Sequence, residues 1–438
     1  MQNVVNYLKN KKIILYGMGI SNQSISKFLN NLNIEYKVYI DEKIGIDKKF
    51  KLTLDSDTLI IKSNGIKPNT NFLMNAKKAN CVILNDLELY SLLSKEKVLA
   101  VTGSNGKTTT CNLLNKLLNK KKKTILCGNN GSPIFDYINE ETDYKIIECS
   151  SFMLDNVKIF HPHVYIILNI EYHHIDYHET FSNYLDAKLK PLVNMNKNDL
   201  VIFNYDDKIL KRQIANYDLN IKSFSLYPNS IFCNCYIMDD AIYYEGKEFI
   251  KLNKLKSTGK HNLHNIMAVI ITGKFLNFED NLIKEAIINL DILPHRLEKF
   301  YSFNDIIFYN DSKATNPYAT LKALEFINEI KNHEKVFLIM GGKIIPDDYD
   351  VLNKELKKVD YFYLYGENKL ILKNHLMELG IDKEINIFEN IEEVVICLRK
   401  RVGNNAIILF SPASTSFDQF KNFEDRGEQF KSLVLKFF

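Results

Sequence analysis

The sequence predicts an α/β fold of three domains, each built on a largely parallel sheet. Three observations carry that expectation. Short β-branched or aliphatic runs alternate with longer helical patterns along the whole chain, as parallel strands and crossover helices do. Several of those runs lead straight into Gly-rich or polar loops, the place where parallel sheets bind ligands. The length, 438 residues, is too great for a single core and sets two to four domains.

The first segment, 1–93, opens with a strand at Ile13–Tyr16 that runs into Gly17-Met-Gly19-Ile20-Ser21-Asn22. A second strand, Tyr36–Ile40, ends at Asp41. This is the outline of a small Rossmann-like nucleotide-binding sheet. The Gly17-x-Gly19 turn admits a dinucleotide, a nucleotide diphosphate or a plain structural turn, because Asn22 stands where a dinucleotide fold wants a third small residue. Asp41, about twenty residues beyond the turn, is placed for a ribose contact.

The polar stretch Leu92–Lys97 restarts the pattern, and the second segment covers 94–292. Its strand Val98–Val101 feeds Thr102-Gly103-Ser104-Asn105-Gly106-Lys107-Thr108-Thr109, and a helix follows with Cys111, Leu114, Leu117 and Leu118 on one face. Glycines let backbone N–H groups close on phosphate oxygens. The helix N-terminus favours anions, Lys107 adds a point charge and Thr108 can hold Mg²⁺. This is a shortened P-loop on a mononucleotide-binding sheet. The basic run Lys120–Lys123 reads as a solvated helix end that suits the helix dipole. The strand Lys145–Ile147 delivers Glu148, which is either a Mg²⁺ ligand or a surface glutamate. Further strands are expected at Tyr165–Leu168 and Leu200–Phe203. His161, His163, His173, His174 and His178 invite a zinc reading, but Pro162 separates the first pair, and the adjacent His173 and His174 point in different directions on any regular element. A single His beside Mg²⁺ or phosphate fits better. Lys188, in a helical pattern starting near Phe181, reads by itself as a solvated lysine.

The third segment, 293–438, begins at Leu293-Pro-His-Arg296 and resembles a second Rossmann-like sheet. Strands are expected at Ile306–Tyr309, Val336–Met340, Tyr361–Tyr365 and Ile407–Phe410. They feed the loops at Asn310–Lys313, Gly341-Gly342, Gly366 and Ser411-Pro412.

Composition bounds the function. Apolar residues at 46% and charged residues at 25% describe a soluble globular chain. The balance of 57 basic and 53 acidic side chains leaves no concentrated excess for a nucleic-acid surface. The seven cysteines form no Cys-x-x-Cys pair, as expected of free thiols in a reducing compartment. The chain begins Met1-Gln2-Asn3 without an apolar leader, and runs such as Val164–Leu168 are too short to span a bilayer. A cytoplasmic, non-membrane monomer is the expectation.

Taken together, these motifs resemble the Mur ligase family. The loop Thr102–Thr109 is similar to that family's shortened phosphate loop. Glu148-Cys-Ser-Ser-Phe152, Gly259-Lys-His-Asn262-Leu-His-Asn265, Leu293-Pro-His-Arg296 and Asn310-Asp311-Ser-Lys313-Ala-Thr315-Asn follow in family order. The last of these, with Ser411–Gly427, resembles the branch that adds D-glutamate to UDP-N-acetylmuramoyl-L-alanine. The resemblance covers essentially the whole chain. It implies an ATP-dependent amide ligase of peptidoglycan precursor synthesis, using ATP and two Mg²⁺ ions.

Residue roles follow from that resemblance. Gly103, Ser104, Asn105, Gly106, Lys107, Thr108 and Thr109 would cradle ATP phosphates. Asn262, Asn265, Arg296, Asp311 and Lys313 would complete the ATP site. Thr108 would hold one Mg²⁺. Glu148, His174 and a carbamylated Lys188 would hold the other. Ile20, Ser21, Asp41, Ser63, Gly65, Asn129 and His174 would lie around the UDP-substrate. Thr315, Ser416, Phe417 and Phe423 would seat D-glutamate. The sequence departs from the family at Asn22 and Asn64, which replace a Gly and a Pro, and at His173, where Asp is common. The lysine the family uses for the glutamate carboxylate would fall near Ile345, whereas Lys343 comes earlier.

The implied reaction passes the γ-phosphoryl of ATP to a carboxylate, and the amine of D-glutamate then displaces phosphate. Lys107, Lys313 and the metal ions would neutralise the charge that gathers. Exclusion of water calls for closure of the C-terminal segment onto the central one. Rival readings are a sister ligase or a folylpolyglutamate synthetase-like enzyme, a nucleotide-sugar sensor without turnover, and an NAD oxidoreductase.

Overall fold

The computed structural model describes residues 2–40, 54–172, 174–228, 232–255, 260–288, 294–330, 334–344 and 349–438. The fold is α/β, with three sheets distributed over two compact units, 1–290 and 291–438.

The first unit holds two sheets. The smaller comprises β1 (Lys12–Tyr16), β2 (Tyr36–Tyr39), β3 (Thr58–Lys62) and β4 (Val82–Leu84), all parallel in the order β2-β1-β3-β4. The larger comprises β5 (Val98–Thr102), β6 (Thr124–Gly128), β7 (Tyr144–Glu148), β8 (Val164–Ile167), β9 (Leu200–Asn204), β10 (Asn220–Ser225), β11 (Cys235–Met238), β12 (Ala241–Tyr244) and β13 (Lys247–Lys251). Its order is β13-β12-β11-β10-β9-β8-β5-β7-β6. Every residue of β5, β8 and β9 is buried, as expected of strands covered on both faces. One face carries the helices Lys107–Leu118 and Lys260–Phe275, whose Leu114, Leu117, Ile266 and Ile270 share a core with Leu99, Val101 and Ile166. The opposite core is continuous with the small sheet. It runs from Leu15, Leu29 and Leu59 to Ile147, Phe160 and Tyr165.

The second unit has one sheet: β14 (Glu298–Phe303), β15 (Ile306–Asn310), β16 (Lys335–Gly341), β17 (Tyr361–Tyr365), β18 (Glu384–Ile387) and β19 (Ala406–Phe410), in the order β14-β15-β19-β16-β17-β18. The helix Phe423–Phe437 is capped by Asn422, whose side chain accepts from Asp425 N, and its Phe430 and Val434 pack against Phe308 and Phe410.

The expectation of parallel pairing needs one correction. The edges β11-β12-β13 and β14-β15 are antiparallel. Each antiparallel connection is a two-residue turn: Asp239-Asp240, Glu245-Gly246 and Asn304-Asp305, all with positive φ. Positive φ at both central residues matches the right-handed strand twist and folds a tight hairpin. In two of the three turns acidic residues and Asn fill these positions without a Gly; the third carries Gly246.

Candidate active site

The phosphate loop leaves β5 between β7 and β8 and closes on Gly106, the N-cap of the helix Lys107–Leu118, at φ +86°. A Cβ at Gly106 would lie 2.5 Å from Oδ1 of Asn265, which is 2% exposed on the helix Lys260–Phe275. Asn265 thus packs directly on the loop. Lys107 Nζ curls back to donate to Gly103 O at 2.7 Å and Ser104 O at 3.0 Å. The loop following β8 supports the other side. Asn169 Oδ1 accepts from Asn105 N at 2.8 Å, its Nδ2 donates to Asn105 O at 3.1 Å, and Glu171 Oε2 accepts from Asn105 Nδ2 at 2.8 Å. Ser104 Oγ and Tyr184 Oη lie 2.7 Å apart. Ser104, Asn105 and Lys107 to Thr109 remain partly exposed at the loop mouth.

One strand over, β7 ends on Glu148, 3% exposed and not the surface glutamate that its position also allowed. Its Oε1 accepts from Asn129 Nδ2 at 3.2 Å. Its Oε2 is buried and has no hydrogen-bond partner among the described residues. A bare buried carboxylate oxygen suits a cation, so Glu148 fits the Mg²⁺ role.

Lys188, expected to be solvated if it had no special role, is 1% exposed. The helix Phe181–Leu189 drives it inward, and its Nζ donates to Thr102 Oγ1 and Gly103 O, each at 3.1 Å. Burial, and next the charge of Lys107, hold its pKa well below that of an ordinary lysine. His174 caps the short helix Ile175–His178 at φ +56°, with its ring 4.6 Å from that of Phe152. Among the described residues no three His, Cys, Asp or Glu side chains gather for a metal. His161 and His163 lie apart from Glu148 in the structure's hydrogen bonding. Both sit against Asp199, at 2.6 Å and 3.3 Å.

In the small sheet, the turns after β1 and β3 abut: a Cβ on Gly19 would lie 2.4 Å from Ser63 Oγ. Ile20 is 63% exposed at that edge, and Ser21, Ser63 and Gly65 flank it. Asn22 serves structure here. Its Nδ2 donates to Tyr16 O, Gly17 O and Ile61 O at 3.2, 2.7 and 3.0 Å, pinning the two turns together. Asn64 Nδ2 donates to Asp86 Oδ1 at 2.9 Å and Ser21 Oγ at 3.3 Å. Asp41, His173 and Ile345 lie outside the described residues.

In the second unit, the loops at the carboxyl ends of β15, β16 and β19 converge. Asp311 Oδ2 accepts from Ser411 Oγ at 2.7 Å and Oδ1 from Leu297 N at 3.0 Å. Burial nonetheless pushes its carboxyl up to about 7. Lys313 Nζ lies 3.7 Å from the centre of the Phe423 ring, and Lys313 N donates to His295 O at 2.9 Å. Thr315, Ser416 and Phe417 stand on the same loops, with Ser416 buried and Phe417 64% exposed. Arg296 is partly buried beside them in sequence and contributes to the field on Asp311, while Asn262 is partly buried in the first unit. The sequence reading did not single out Asn169, Glu171 or Tyr184. Their signal was positional: two of the three follow a strand that ends beside the phosphate loop.

Two segments of the chain match known domain patterns: residues 101–273 the Mur ligase middle domain, and residues 295–414 the Mur ligase glutamate ligase domain. The UDP-N-acetylmuramoylalanine--D-glutamate ligase of Oenococcus oeni is 32% identical, with 98% of each chain covered. That of Caldanaerobacter subterraneus subsp. tengcongensis is 31% identical, over 98% of this chain and 99% of its own. The crystal structure of a MurF ligase from Thermotoga maritima in complex with ADP superposes with a TM-score of 0.62 at 16% identity, covering 99% of this chain and 96% of the other. At that identity the likeness is one of fold.

Proposed function

The chain belongs to the Mur ligase family, and from that premise we propose that it joins D-glutamate to UDP-N-acetylmuramoyl-L-alanine in peptidoglycan precursor synthesis, converting ATP to ADP and phosphate. Likeness to D-glutamate ligases along 98% of the chain supports the choice of substrates. The observation that carries the chemistry is Glu148 Oε2, bare and buried, on the strand next to a phosphate loop. In this reading 1–93 binds the UDP-substrate, 94–292 binds ATP and 293–438 binds the amino acid. The enzyme works in the cytoplasm as a monomer. Among the described residues no helix is long and apolar enough to cross a membrane.

A carboxylate resists amines because its oxygen is a poor leaving group. Transfer of the γ-phosphoryl group to that oxygen releases ADP and gives an acyl phosphate. The amine of D-glutamate then adds to the carbonyl carbon. The resulting tetrahedral species expels phosphate as the nitrogen loses its proton. The phosphate loop at Gly106 and the N-terminus of the helix Lys107–Leu118 hold the phosphate oxygens, and Lys107 places its charge at the loop mouth. Asn262, Asn265, Arg296, Asp311 and Lys313 orient the nucleotide. Ile20, Ser21, Ser63, Gly65 and Asn129 orient the UDP-substrate, with Asp41 completing that set. Thr315, Ser416, Phe417 and Phe423 seat the incoming amino acid. Thr108, Glu148, His174 and a carbamate on Lys188 would hold Mg²⁺, which when bound neutralises the charge on the moving phosphoryl group. Burial favours the neutral Lys188 amine, the form that adds to CO₂ with release of a proton.

Phosphate release from ATP in the presence of UDP-N-acetylmuramoyl-L-alanine, assayed with each amino acid in turn, tests the proposal. Release with D-glutamate alone is the expected result. Release with L-lysine or L-alanine instead would keep the family reaction and remove this substrate.

A further inference from the structure

Among the described residues Arg426 is the largest fully buried side chain, at 0% exposure. A buried guanidinium is costly unless its donors are satisfied, and it is usually matched by a carboxylate. Here every hydrogen bond it makes among the described residues goes to a neutral oxygen. Nε donates to Ser312 Oγ at 2.9 Å, Nη2 to Ser312 O at 2.7 Å and Nη1 to Ser414 O at 2.9 Å. Ser312 Oγ in turn donates to Phe423 O at 2.8 Å.

These hydrogen bonds join three parts of the chain. Ser312 belongs to the loop after β15 that continues to Thr315. Ser414 belongs to the loop after β19 that continues to Ser416 and Phe417. Phe423 opens the helix that carries Arg426 itself. The Ser414 side is further fixed: Asn368 Nδ2 donates to its Oγ at 2.6 Å, Tyr349 Oη lies 3.1 Å from it, and a Cβ on Gly342 would lie 2.3 Å from Thr415 O. One planar fork therefore ties together the three chain segments that carry Thr315, Ser416 and Phe423.

We propose that Arg426 is a positioning residue for the incoming amino acid, acting by locking the Ser312 and Ser414 loops to the first turn of the helix Phe423–Phe437. This rests on the reading above that these loops seat D-glutamate. Arg426 does not touch the ligand. It sets the spacing of the residues that do, so its loss weakens binding of the amino acid while leaving the UDP-substrate, bound by the first unit, alone.

The test is steady-state kinetics of full-length R426K and S312A. R426K keeps the charge, but an ammonium cannot satisfy three oxygens in the plane of a guanidinium. S312A leaves Arg426 in place and removes both the Nε acceptor and the tie to Phe423. KM for D-glutamate is expected to rise about tenfold in R426K and about threefold in S312A. KM for UDP-N-acetylmuramoyl-L-alanine is expected to stay within about twofold of wild type. The inference is overturned if KM for D-glutamate is unchanged in both variants, if R426K behaves as wild type, or if both KM values rise in parallel. Should R426K fail to fold, S312A decides by the same criterion. If the wild type releases phosphate with a different amino acid, the D-glutamate reading fails, and the same comparison with that amino acid tests Arg426 separately.

Discussion

Replacing Gly106 by Ala strikes the phosphate loop at its tightest point. Two costs follow from the geometry. Gly106 sits at φ +86°, where a residue with a Cβ costs about 1–2 kcal/mol. The new Cβ also falls 2.5 Å from Asn265 Oδ1 and 3.1 Å from Leu168 Cδ1. Asn265 is 2% exposed, and its neighbours Ile266 and Met267 are fully buried, so the helix beneath cannot yield cheaply. Overpacking of this kind costs about 1–3 kcal/mol. The sum, roughly 2–5 kcal/mol, lowers Tm by roughly 3–8 °C for a unit of this size. Gly131→Ala separates the two terms. Gly131 has φ +97° but nothing within 4 Å of the added Cβ, so it carries the backbone cost alone. Thermal unfolding and KM for ATP are the readouts. G106A should melt several degrees below G131A and raise KM for ATP about tenfold or more. A G106A variant that melts with G131A and binds ATP normally would refute the packing of Asn265 on the loop.

Three further perturbations probe the site. Glu148→Gln keeps the acceptor for Asn129 Nδ2 and removes the charge, so turnover should fall by roughly two to three orders of magnitude without a lower Tm; near-normal turnover would remove Glu148 from the metal role. Lys188→Met replaces a buried amine by an apolar chain of similar length. Activity should fall about a hundredfold or more, and CO₂-depleted buffer should inhibit the wild type reversibly but leave the variant's residual rate unchanged; a wild type indifferent to CO₂ would argue against a carbamate. Asp311 supplies a pH dependence. Its carboxyl is raised to about 7 in the folded chain, so the folded state binds more protons than the unfolded state above the ordinary carboxylate range. Its contribution to stability is present at low pH and is lost as pH rises through 7, by about 4 kcal/mol in total. Asp311→Asn should gain in stability over wild type from pH 5 to pH 8 in urea titrations, and parallel pH profiles would count against the shift.

The phosphate loop was legible in the sequence because its signal is local: an apolar strand, two glycines, Lys107 and an amphipathic helix within one stretch. Glu148 was legible as a strand-end carboxylate, but not its burial. Lys188 was the opposite case. Nothing around it in sequence marks it, since its character comes from being pressed against Thr102 and Gly103, which lie 86 and 85 residues away. Asn22 and Asn64, noted as departures from the family pattern, make side-chain hydrogen bonds to other segments: Asn22 to Gly17 O of the turn after β1, and Asn64 to Asp86 Oδ1. Two of the three antiparallel hairpins escaped because Asp239-Asp240 and Asn304-Asp305 turn without glycine; Glu245-Gly246 carried a glycine signal that was passed over. Arg426 was readable only as one residue in a polar, helix-opening block. Its fork onto Ser312 and Ser414 depends on long-range contacts that no periodicity encodes.

The most direct measurement follows one oxygen. UDP-N-acetylmuramoyl-L-alanine labelled with ¹⁸O in its free carboxylate is turned over with ATP and D-glutamate, and the released phosphate is analysed by mass spectrometry. An acyl phosphate requires one carboxylate oxygen to leave with phosphate while the other remains in the amide. Phosphate carrying one ¹⁸O per amide bond formed is the predicted result. Unlabelled phosphate alongside amide formation would contradict the account.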